Sequence, residues 1–530
     1  MIETLSDLVR HSASRDAGAP ALQYKKQLLS YGELEDAVSD FAAGLIALGL
    51  GRSDRVAVFC DKRPQTVIAM FAAIRAGGVF VPVNGLLKPK QVSYILRDCN
   101  VQTLVTTRVR AGQLAAEFAE CPDLKHIVVV DGVGDAGSNS NSRVVSWEDV
   151  TGTSGGQQFH RVISSDMAAI MYTSGSTGLP KGVVLSHGNM TIGAESVAAY
   201  IGNTPADRIL SALPLSFDAG LSQVTTGFFA GACVILHDYL LARDVVRLIE
   251  RESVTGLTAV PPMWIQLSEQ QWPDGAAESL RYFANTGGKM PRDTLAKLRR
   301  IFGNAQPFLM YGLTESFRST YLPPSEVEQR PDSMGKAIPN VEVMVVRPDG
   351  RPCGAGEVGE LVHRGPLVSL GYWNDPARTA ERFKPAPMQP AGIPNPEIAV
   401  WSGDSVKMDE DGYLYFVGRK SEMIKTSGYR VSPTEIEEVA FDTGLVAEVA
   451  ALGIQHGKLE QAIVLVAQPV ESGKSNTESL LEAMRPNVPG YMMPTDVIWR
   501  DGLPHNANGK LDRKALAEEH AELYASESVA

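Results

Sequence analysis

Residues 172–182 read YTSGSTGLPKG and directly follow a short apolar segment, Ala168 to Tyr172. Glycines free the backbone to point successive N–H groups inward, and the hydroxyl side chains between them add donors, so such a concave loop suits phosphate oxygens. A flexible surface turn is the alternative, but it would not need hydroxyls between its glycines and a lysine at its end. The sequence therefore predicts a phosphate-binding loop made of Thr173, Ser174, Gly175, Ser176, Thr177, Gly178 and Lys181.

Two other nucleotide-binding motifs find no support in the sequence. A Walker A loop requires G-x-x-x-x-G-K-[ST], and the pair Gly509 and Lys510 lacks the earlier glycine. The pattern G-x-G-x-x-G occurs at residues 132–137 (GVGDAG), but it lies in a Gly- and Ser-rich stretch and does not open a predicted helix, as a dinucleotide-binding loop does. A P-loop kinase and an NAD-type enzyme are therefore disfavoured.

Helix-like and strand-like segments alternate on the N-terminal side of this loop. Residues 31–50 carry apolar side chains at helical spacing, residues 55–60 (RVAVFC) read as a strand, and a helix and a strand follow. The order β-α-β predicts an α/β fold with a parallel-rich sheet, whose ligands bind beyond the carboxyl ends of the strands. Further short strands are predicted at residues 103–105, 126–130, 168–172, 256–260 and 307–311.

Two regions depart from this alternation. Residues 131–158 are rich in Gly and Ser with only a brief apolar patch, and we interpret them as a surface loop. Beyond Gly418, a helical pattern in SPTEIEEVA and strand patterns at 448–454 and 462–466 predict a second, smaller α/β domain. The predicted organisation is a large N-terminal domain, residues 1–418, and a small C-terminal domain, residues 419–530.

Composition narrows the class of protein. The 530 residues carry a formal net charge of −12, which argues against a general nucleic-acid binder. The five scattered cysteines form no C-x-x-C pair, and the N-terminus lacks the basic start and apolar core of a signal peptide, so we expect a cytoplasmic protein. No window approaches the roughly 18 apolar residues of a membrane helix, so we expect no membrane insertion.

Further motifs occur in one order along nearly the whole chain. They are YTSGSTGLPKG at 172–182, YGLTE at 311–315, GELVHRG at 359–365, WSGD at 401–404, GRKSEMIKTSGYR at 418–430 and LPHNANGKLDR at 503–513. Together they resemble the adenylate-forming superfamily of acyl-CoA synthetases, peptide-synthetase adenylation domains and firefly-type luciferases. The segments VWSGD and EMIKTSGYRVSPTEIEEVA are similar to segments of AMP-forming acyl-CoA ligases associated with bacterial exosortase systems.

The resemblance implies a two-step ligase. A small carboxylic acid attacks the α-phosphorus of ATP, with Mg²⁺ present, to form an acyl-adenylate and pyrophosphate; a thiol of coenzyme A or of a carrier protein's phosphopantetheine then takes the acyl group. Cations and donors fixed where charge develops are the main catalytic resource in such a step. The resemblance makes Lys510 the residue that bridges the carboxylate and the α-phosphate, Thr314 an α-phosphate ligand, and Glu315 a Mg²⁺ ligand.

The remaining roles concern the nucleoside, the hinge and the thiol. The resemblance has Tyr311 stack on adenine beside Gly287, Gly288 and Gly312, while Asp404 accepts the ribose hydroxyls and Arg419 reaches the ribose or a phosphate. The family rotates its small domain near residues 418–422, and here the usual hinge acid or lysine is Ser421, so we expect rotation at altered rates. Gly428, without a side chain, would let pantetheine approach.

The sequence says less about which acid is the substrate and which thiol accepts the acyl group. Phe217 and Asp218 resemble the stretch of amino-acid adenylation domains in which an aspartate pairs with the substrate ammonium, which favours an amino-bearing acid. An aspartate paired with a protein group is the alternative. No carrier domain follows Lys510, so the acceptor is coenzyme A or a stand-alone carrier protein. Two alternative functions stay open. The protein is then either an adenylate-forming enzyme with a non-thiol acceptor or a non-catalytic nucleotide-binding homologue.

Overall fold

Mixed α/β architecture runs through the computed structural model, which describes residues 2–134, 142–152, 158–173, 180–390, 392–419, 422–426, 429–456, 459–471, 473–506 and 509–524. The α/β class predicted from the sequence is confirmed. The helices of the described residues are α1 Asp7–Arg15, α2 Tyr31–Ala47, α3 Pro64–Arg75, α4 Pro89–Asp98, α5 Arg108–Leu114, α6 Trp147–Thr151, α7 His187–Ile201, α8 Asp218–Ala230, α9 Ala242–Arg251, α10 Pro261–Ser268, α11 Arg292–Ile301, α12 Pro376–Arg382, α13 Pro433–Asp442, α14 Thr477–Met484 and α15 Arg513–Glu519.

The strands are short, as the brief apolar runs of the sequence predict. They are β1 Pro20–Tyr24, β2 Gln27–Ser30, β3 Arg55–Phe59, β4 Val79–Pro82, β5 Val101–Thr106, β6 His126–Val129, β7 Arg143–Ser146, β8 Met167–Thr173, β9 Lys181–Ser186, β10 Arg208–Ser211, β11 Cys233–Leu236, β12 Gly256–Ala259, β13 Tyr282–Asn285, β14 Gln306–Tyr311, β15 Thr320–Leu322, β16 Ser333–Ala337, β17 Glu342–Val346, β18 Val358–Arg364, β19 Gly371–Tyr372, β20 Phe383–Pro385, β21 Ile398–Met408, β22 Leu414–Arg419, β23 Ile424–Thr426, β24 Tyr429–Val431, β25 Val446–His456, β26 Glu460–Pro469 and β27 Asp496–Trp499.

The chain divides into two compact units. The first comprises Met1–Val343 with His363–Trp401, and the second comprises Met344–Val362 with Ser402–Ala530. The domain boundary at residue 418 was predicted from the change of sequence pattern and from the family's hinge motif, and this boundary and its hinge stay predictions. Among the described residues, no helix combines the length and apolarity that crossing a bilayer requires.

Two parallel-rich sheets form the first unit. One has the strand order β19-β9-β8-β4-β3-β5-β6-β7, and the other runs β16-β15-β14-β13-β12-β10-β11-β1-β2. Strands β10, β11, β12, β13 and β14 lie parallel in register, so their carboxyl ends meet at one edge of the sheet. Apolar residues of helices α2, α3, α7 and α8 pack with the sheets in one buried core. This arrangement provides the edge at which ligands of α/β sheets bind.

The interpretation of residues 131–158 as a loop is wrong for their middle part. Arg143–Ser146 form strand β7, which pairs in parallel with β6, and helix α6 follows at once. The Ser146 hydroxyl accepts the backbone N–H of Asp149, and the Trp147 ring stacks on Phe41 with centroids 4.0 Å apart. The short apolar patch is therefore sufficient for an edge strand once a neighbouring strand and a stacking partner are present.

The second unit has its own sheet and core. Its strands follow the order β24-β23-β26-β25, and β27 pairs with β26. Helix α13 packs on the long hairpin of β25 and β26, where Ile436, Val449 and Leu465 are buried. The helix and two strands predicted for this region are confirmed as α13, β25 and β26.

Candidate active site

The predicted phosphate loop connects two antiparallel strands. Strand β8 ends at Thr173 and β9 begins at Lys181, and these two residues stand opposite each other in the register. The remaining predicted loop residues lie outside the described residues: Ser174, Gly175, Ser176, Thr177 and Gly178. The Thr173 hydroxyl is buried and bonds to none of the described residues. Loop ends thus lie at the carboxyl edge of β8, where the sequence places them.

Lys181 belongs to a buried polar cluster with Glu315 and Tyr372. Its Nζ donates to Glu315 Oε1 at 2.9 Å and to the Tyr372 hydroxyl at 2.7 Å. The same hydroxyl donates to Glu315 Oε1 at 2.5 Å. The pairing of β19 with β9 explains why Tyr372 lies beside Lys181. It sets Tyr372 opposite Val183, which is two residues after Lys181.

The cluster keeps Glu315 ionised. Burial by itself would raise the pKa of Glu315, but the Lys181 charge and the hydrogen bonds from Tyr372 and Lys181 outweigh it and lower that pKa to about 2. Burial, reinforced by the Glu315 charge, raises the pKa of Tyr372, so its hydroxyl stays a donor. An ionised carboxylate is the ligand type that Mg²⁺ prefers, and Mg²⁺ is commonly held by one or two carboxylates together with substrate phosphates. Glu315 therefore fits the predicted metal role.

A strained turn centred on Phe317 follows Glu315 in the chain. Phe317 has φ 55° and ψ −59°, and the Arg318 N–H donates to Ser316 O at 2.6 Å, which defines a γ-turn of the rare strained kind. Such a conformation costs about 1–3 kcal/mol and persists only when the surroundings enforce it. The Phe317 ring is fully buried and packs against Gly193 of α7, where a Cβ would come within 2.5 Å of the ring.

The predicted adenine contacts meet at the ends of neighbouring parallel strands. Tyr311 ends β14, and Gly287 and Gly288 follow β13, which runs beside it. The Asn285 side chain donates to Gly288 O at 2.8 Å and closes this turn, in which Gly287 has φ 77°. The structure therefore brings these three predicted residues to one edge of the sheet.

Gly312 and Thr314 occupy the link between β14 and Glu315. A Cβ on Gly312 would lie 3.0 Å from the Arg318 Cα, so this position favours glycine. Thr314 opens a short 3₁₀ turn, Thr314–Ser316, and is half-buried. Both residues lie at the sheet edge that carries Glu315.

Asp218 has a cationic partner within the protein. Its Oδ2 lies 3.3 Å from Nη1 of Arg318, whose side chain is only 2% exposed. Phe217 precedes helix α8 and is half-buried, and Gly220 packs so closely that a Cβ would fall 2.0 Å from Pro214 O. This contact favours the alternative in which Asp218 pairs with a protein group, and the pairing of Asp218 with a substrate amine stays a prediction.

Two predicted nucleoside residues pair with each other in the second unit. Asp404 of β21 stands opposite Arg419 of β22, and Arg419 Nε lies 3.2 Å from Asp404 Oδ1. The Asp404 side chain is 2% exposed and Arg419 is 45% exposed. The guanidinium therefore holds a buried carboxylate in place, the group that the sequence assigns to the ribose. The predicted hinge residue Ser421 and the predicted thiol-site residue Gly428 lie outside the described residues.

The segment that carries Lys510 is tied down on both sides within the second unit. The Lys510 N–H donates to Asn506 Oδ1 at 3.1 Å, and the Asn506 N–H donates to Lys510 O at 2.7 Å. After it, Arg513 donates from Nε to Glu437 Oε1 at 3.1 Å, and Glu437 also accepts the Ala451 N–H at 2.8 Å. Lys510 itself is exposed, as a residue of a polar loop should be.

Sequence reasoning missed Tyr372 and Arg318. Tyr372 lies 57 residues from Glu315 and Arg318 lies 100 residues from Asp218, so no local spacing could reveal either contact. One signal was available: the arginine follows Glu315 by three positions in an otherwise uncharged stretch, SFRST.

Comparison with known proteins gives consistent matches along the chain. The family model described as AMP-binding enzyme matches residues 9–373, and the model described as AMP-binding enzyme C-terminal domain matches residues 435–510. A long-chain-fatty-acid–CoA ligase of Salmonella typhimurium is 29% identical over 98% of this chain and 94% of its own length. An L-proline–[L-prolyl-carrier protein] ligase of Pseudomonas fluorescens is 29% identical over 98% of this chain and 99% of its own.

Solved structures agree with these matches. ATP-bound MatB from Rhodopseudomonas palustris has a TM-score of 0.85 at 25% identity, with 98% of this chain and 99% of the other covered. The o-succinylbenzoate coenzyme A synthetase of Bacillus subtilis in complex with ATP and magnesium has a TM-score of 0.81 at 26% identity, with 96% and 99% covered.

Proposed function

The chain belongs to the family of AMP-binding enzymes, and on that premise we propose which of its residues carry out each step of the reaction. The enzyme uses ATP to convert a carboxylic acid into an acyl-adenylate and then transfers the acyl group to a thiol. The observation that carries the residue assignment is the Lys181, Glu315 and Tyr372 cluster beside the predicted phosphate loop.

The first step needs positive charge and donors around an α-phosphate. An oxygen of the acid attacks the α-phosphorus, and the bond to the bridging oxygen breaks so that pyrophosphate leaves. In our proposal the loop that ends at Lys181 binds phosphate, Thr314 donates to the α-phosphate, and Glu315 would hold the Mg²⁺ that accompanies ATP. Magnesium there supplies charge neutralisation of the phosphates. Lys510 bridges the carboxylate and the α-phosphate, and this role rests on the resemblance alone.

Nucleoside binding is proposed for the residues at the sheet edge and for the buried pair of the second unit. Tyr311 stacks on adenine, and Gly287, Gly288 and Gly312 let the base approach the backbone. Asp404 accepts the ribose hydroxyls and Arg419 keeps it oriented. The short Arg419 to Asp404 contact supports this, since a fixed, ionised carboxylate is a strong hydrogen-bond acceptor.

In the second step the thiol sulfur attacks the acyl carbon and AMP leaves with its bonding electrons. We propose that rotation near Ser421 brings the segment of Gly428 to the acyl group, as in the family. The acceptor is coenzyme A or the phosphopantetheine of a carrier protein. A stand-alone carrier protein is the finer proposal, supported by the carrier-protein ligase among the relatives. A cytoplasmic location is proposed because all five cysteines are unpaired.

Acid-dependent ATP–pyrophosphate exchange on the purified full chain tests the first step, and thioester formation with coenzyme A or a phosphopantetheinylated carrier protein tests the second. We expect exchange with at least one carboxylic acid and thioester with one acceptor. Exchange without thioester from either acceptor would favour a non-thiol acceptor. Nucleotide binding without exchange for any acid would favour a non-catalytic homologue.

A further inference from the structure

The end of helix α4 lies beside the strand that leads into the predicted phosphate loop. The Tyr172 hydroxyl donates to Asp98 Oδ2 at 2.5 Å, and Asp98 is the last residue of α4. Burial, together with the Cys99 thiol and the Asp98 carboxylate, raises the pKa of Tyr172, so its hydroxyl stays a donor. Hydrogen bonds to carboxylates are among the stronger ones in proteins. Asp98 therefore holds β8 one residue before this strand ends at Thr173.

The same helix also contacts the other end of the loop. The Tyr94 hydroxyl donates to Pro180 O at 3.3 Å, and Pro180 directly precedes Lys181, the first residue of β9. Tyr94 and Asp98 are four residues apart in α4, so their side chains lie on one face of the helix. One helix face therefore reaches both described ends of the loop.

A third set of contacts connects this helix end to Tyr372, a member of the buried polar cluster of the candidate site. The two residues after Tyr372 both donate to the Asp98 backbone carbonyl, Trp373 from its indole N–H at 2.9 Å and Asn374 from its side-chain amide at 2.8 Å. These bonds satisfy a carbonyl that the end of a helix leaves without an intrahelical partner. The backbone N–H of Trp373 also donates to Gly182 O at 2.8 Å, so β9 is connected to the same helix end.

We propose that the last turn of helix α4 holds both ends of the phosphate-binding loop in the geometry that adenylate formation requires, with Tyr94 and Asp98 as positioning residues. The inference rests on the proposed function and goes beyond it, because neither residue belongs to a motif of the sequence. A loop that binds phosphates needs fixed ends, since a misplacement of about 1 Å in a reacting system can cost about 100-fold in rate.

A purely structural role of these contacts, as a cap of the helix end, is the alternative, and the two half-reactions distinguish it. Thr314 is the proposed α-phosphate ligand, so the loop is left for the β- and γ-phosphates of ATP. These two phosphates take part in adenylate formation and are absent from the transfer of the acyl group to a thiol. A displaced loop therefore slows only the first half-reaction, whereas a destabilised fold reduces both.

The test measures both half-reactions in Tyr172→Phe and Tyr94→Phe, using an acid and a thiol that the wild type accepts. Each substitution removes one hydroxyl and keeps the ring, so the Tyr172 ring can still pack where a Cβ on Gly182 would meet it. We expect kcat/KM for ATP in pyrophosphate exchange to fall about tenfold or more in Tyr172→Phe, which loses a bond to a carboxylate, and about threefold or more in Tyr94→Phe. Conversion of a supplied acyl-adenylate to thioester should change by about twofold or less in both.

Asp98→Asn weakens the same hydrogen bond from the acceptor side. It should also slow exchange alone, and the double variant with Tyr172→Phe should lose little more than the worse single variant, because both substitutions act on one contact. Tyr415→Phe is the matched control, since it removes a tyrosine hydroxyl that donates to Asp409 Oδ2 at 3.0 Å in the second unit. This control should leave both half-reactions unchanged.

Three results would overturn the inference while the proposed function stands. They are equal losses in the two half-reactions, unchanged exchange in either tyrosine variant, and losses from Tyr172→Phe and Asp98→Asn that multiply in the double variant. A wild-type protein that shows no exchange with any acid overturns the proposed function, and the inference with it.

Discussion

Replacing Lys181 by Met should convert Glu315 from a permanently ionised carboxylate into one that titrates. The pKa of Glu315 is lowered from 4.5 to about 2, although burial opposes this, and Lys181 is the largest cause of the lowering. A shift of about 2.5 units corresponds to roughly 3 kcal/mol of stability. Since the pKa is depressed in the folded state, this contribution is complete above pH 4.5 and is lost as the pH falls through about 2.

Urea unfolding of the wild type and of Lys181→Met, measured from pH 7 to pH 3, checks this reasoning. We expect the variant to be less stable by about 2–4 kcal/mol at pH 7, and the difference to shrink as the pH falls below 4.5. Lys90→Met, at an exposed lysine of helix α4, is the matched control and should change little. Parallel stability curves for the wild type and Lys181→Met across this range would refute the coupling. The variant should also slow acid-dependent exchange, because Lys181 is proposed to contact phosphate.

Two further substitutions probe the supports of the site. Gly193→Ala places a Cβ 2.5 Å from the Phe317 ring, so it should lower the free energy of unfolding by about 1–3 kcal/mol and slow ATP–pyrophosphate exchange by displacing the γ-turn. Thermal unfolding and the exchange assay measure the two effects. Gly112→Ala, where a Cβ would meet nothing within 4 Å, is the control and should change neither. Glu437→Gln weakens the ion pair that holds Arg513. It should therefore speed hydrogen exchange of the backbone amides in residues 509–519 and lower the rate of adenylation. Glu471→Gln, at a carboxylate that is 66% exposed, is the control and should leave both unchanged.

The sequence predicts the parts of the site that lie on local motifs. Lys181 could be found because a glycine-rich loop after a strand is visible within a few positions, whereas Glu315 was assigned through the resemblance of the YGLTE motif. Tyr311 could be placed at the carboxyl end of the predicted strand 307–311, where ligands of α/β sheets bind, whereas Gly287 was named through the resemblance. The resemblance added the roles of the site residues, and all of these roles stay predictions, as does the exosortase association.

What the sequence could not predict depends on pairing between distant segments. The register of β19 against β9 sets Tyr372 beside Lys181, and the γ-turn at Phe317 aims Arg318 at Asp218. Neither has a periodic or compositional signature. The sequence leaves two interpretations of Asp218 open, a partner for a substrate ammonium or for a protein group, because it does not show which cation lies beside this residue. Arg318 is such a cation, and its contact with Asp218 favours the alternative in which this aspartate pairs with a protein group.

The most direct measurement of the central claim compares the two half-reactions in Lys510→Ala and Gly428→Leu. Acid-dependent ATP–pyrophosphate exchange reports adenylate formation, and conversion of a supplied acyl-adenylate to thioester reports transfer. We predict that Lys510→Ala loses exchange by about 10²-fold or more and keeps thioester formation, since the charge acts where the α-phosphate is attacked, and that Gly428→Leu does the reverse. Full exchange activity in Lys510→Ala would contradict the assignment of this lysine to the adenylation step.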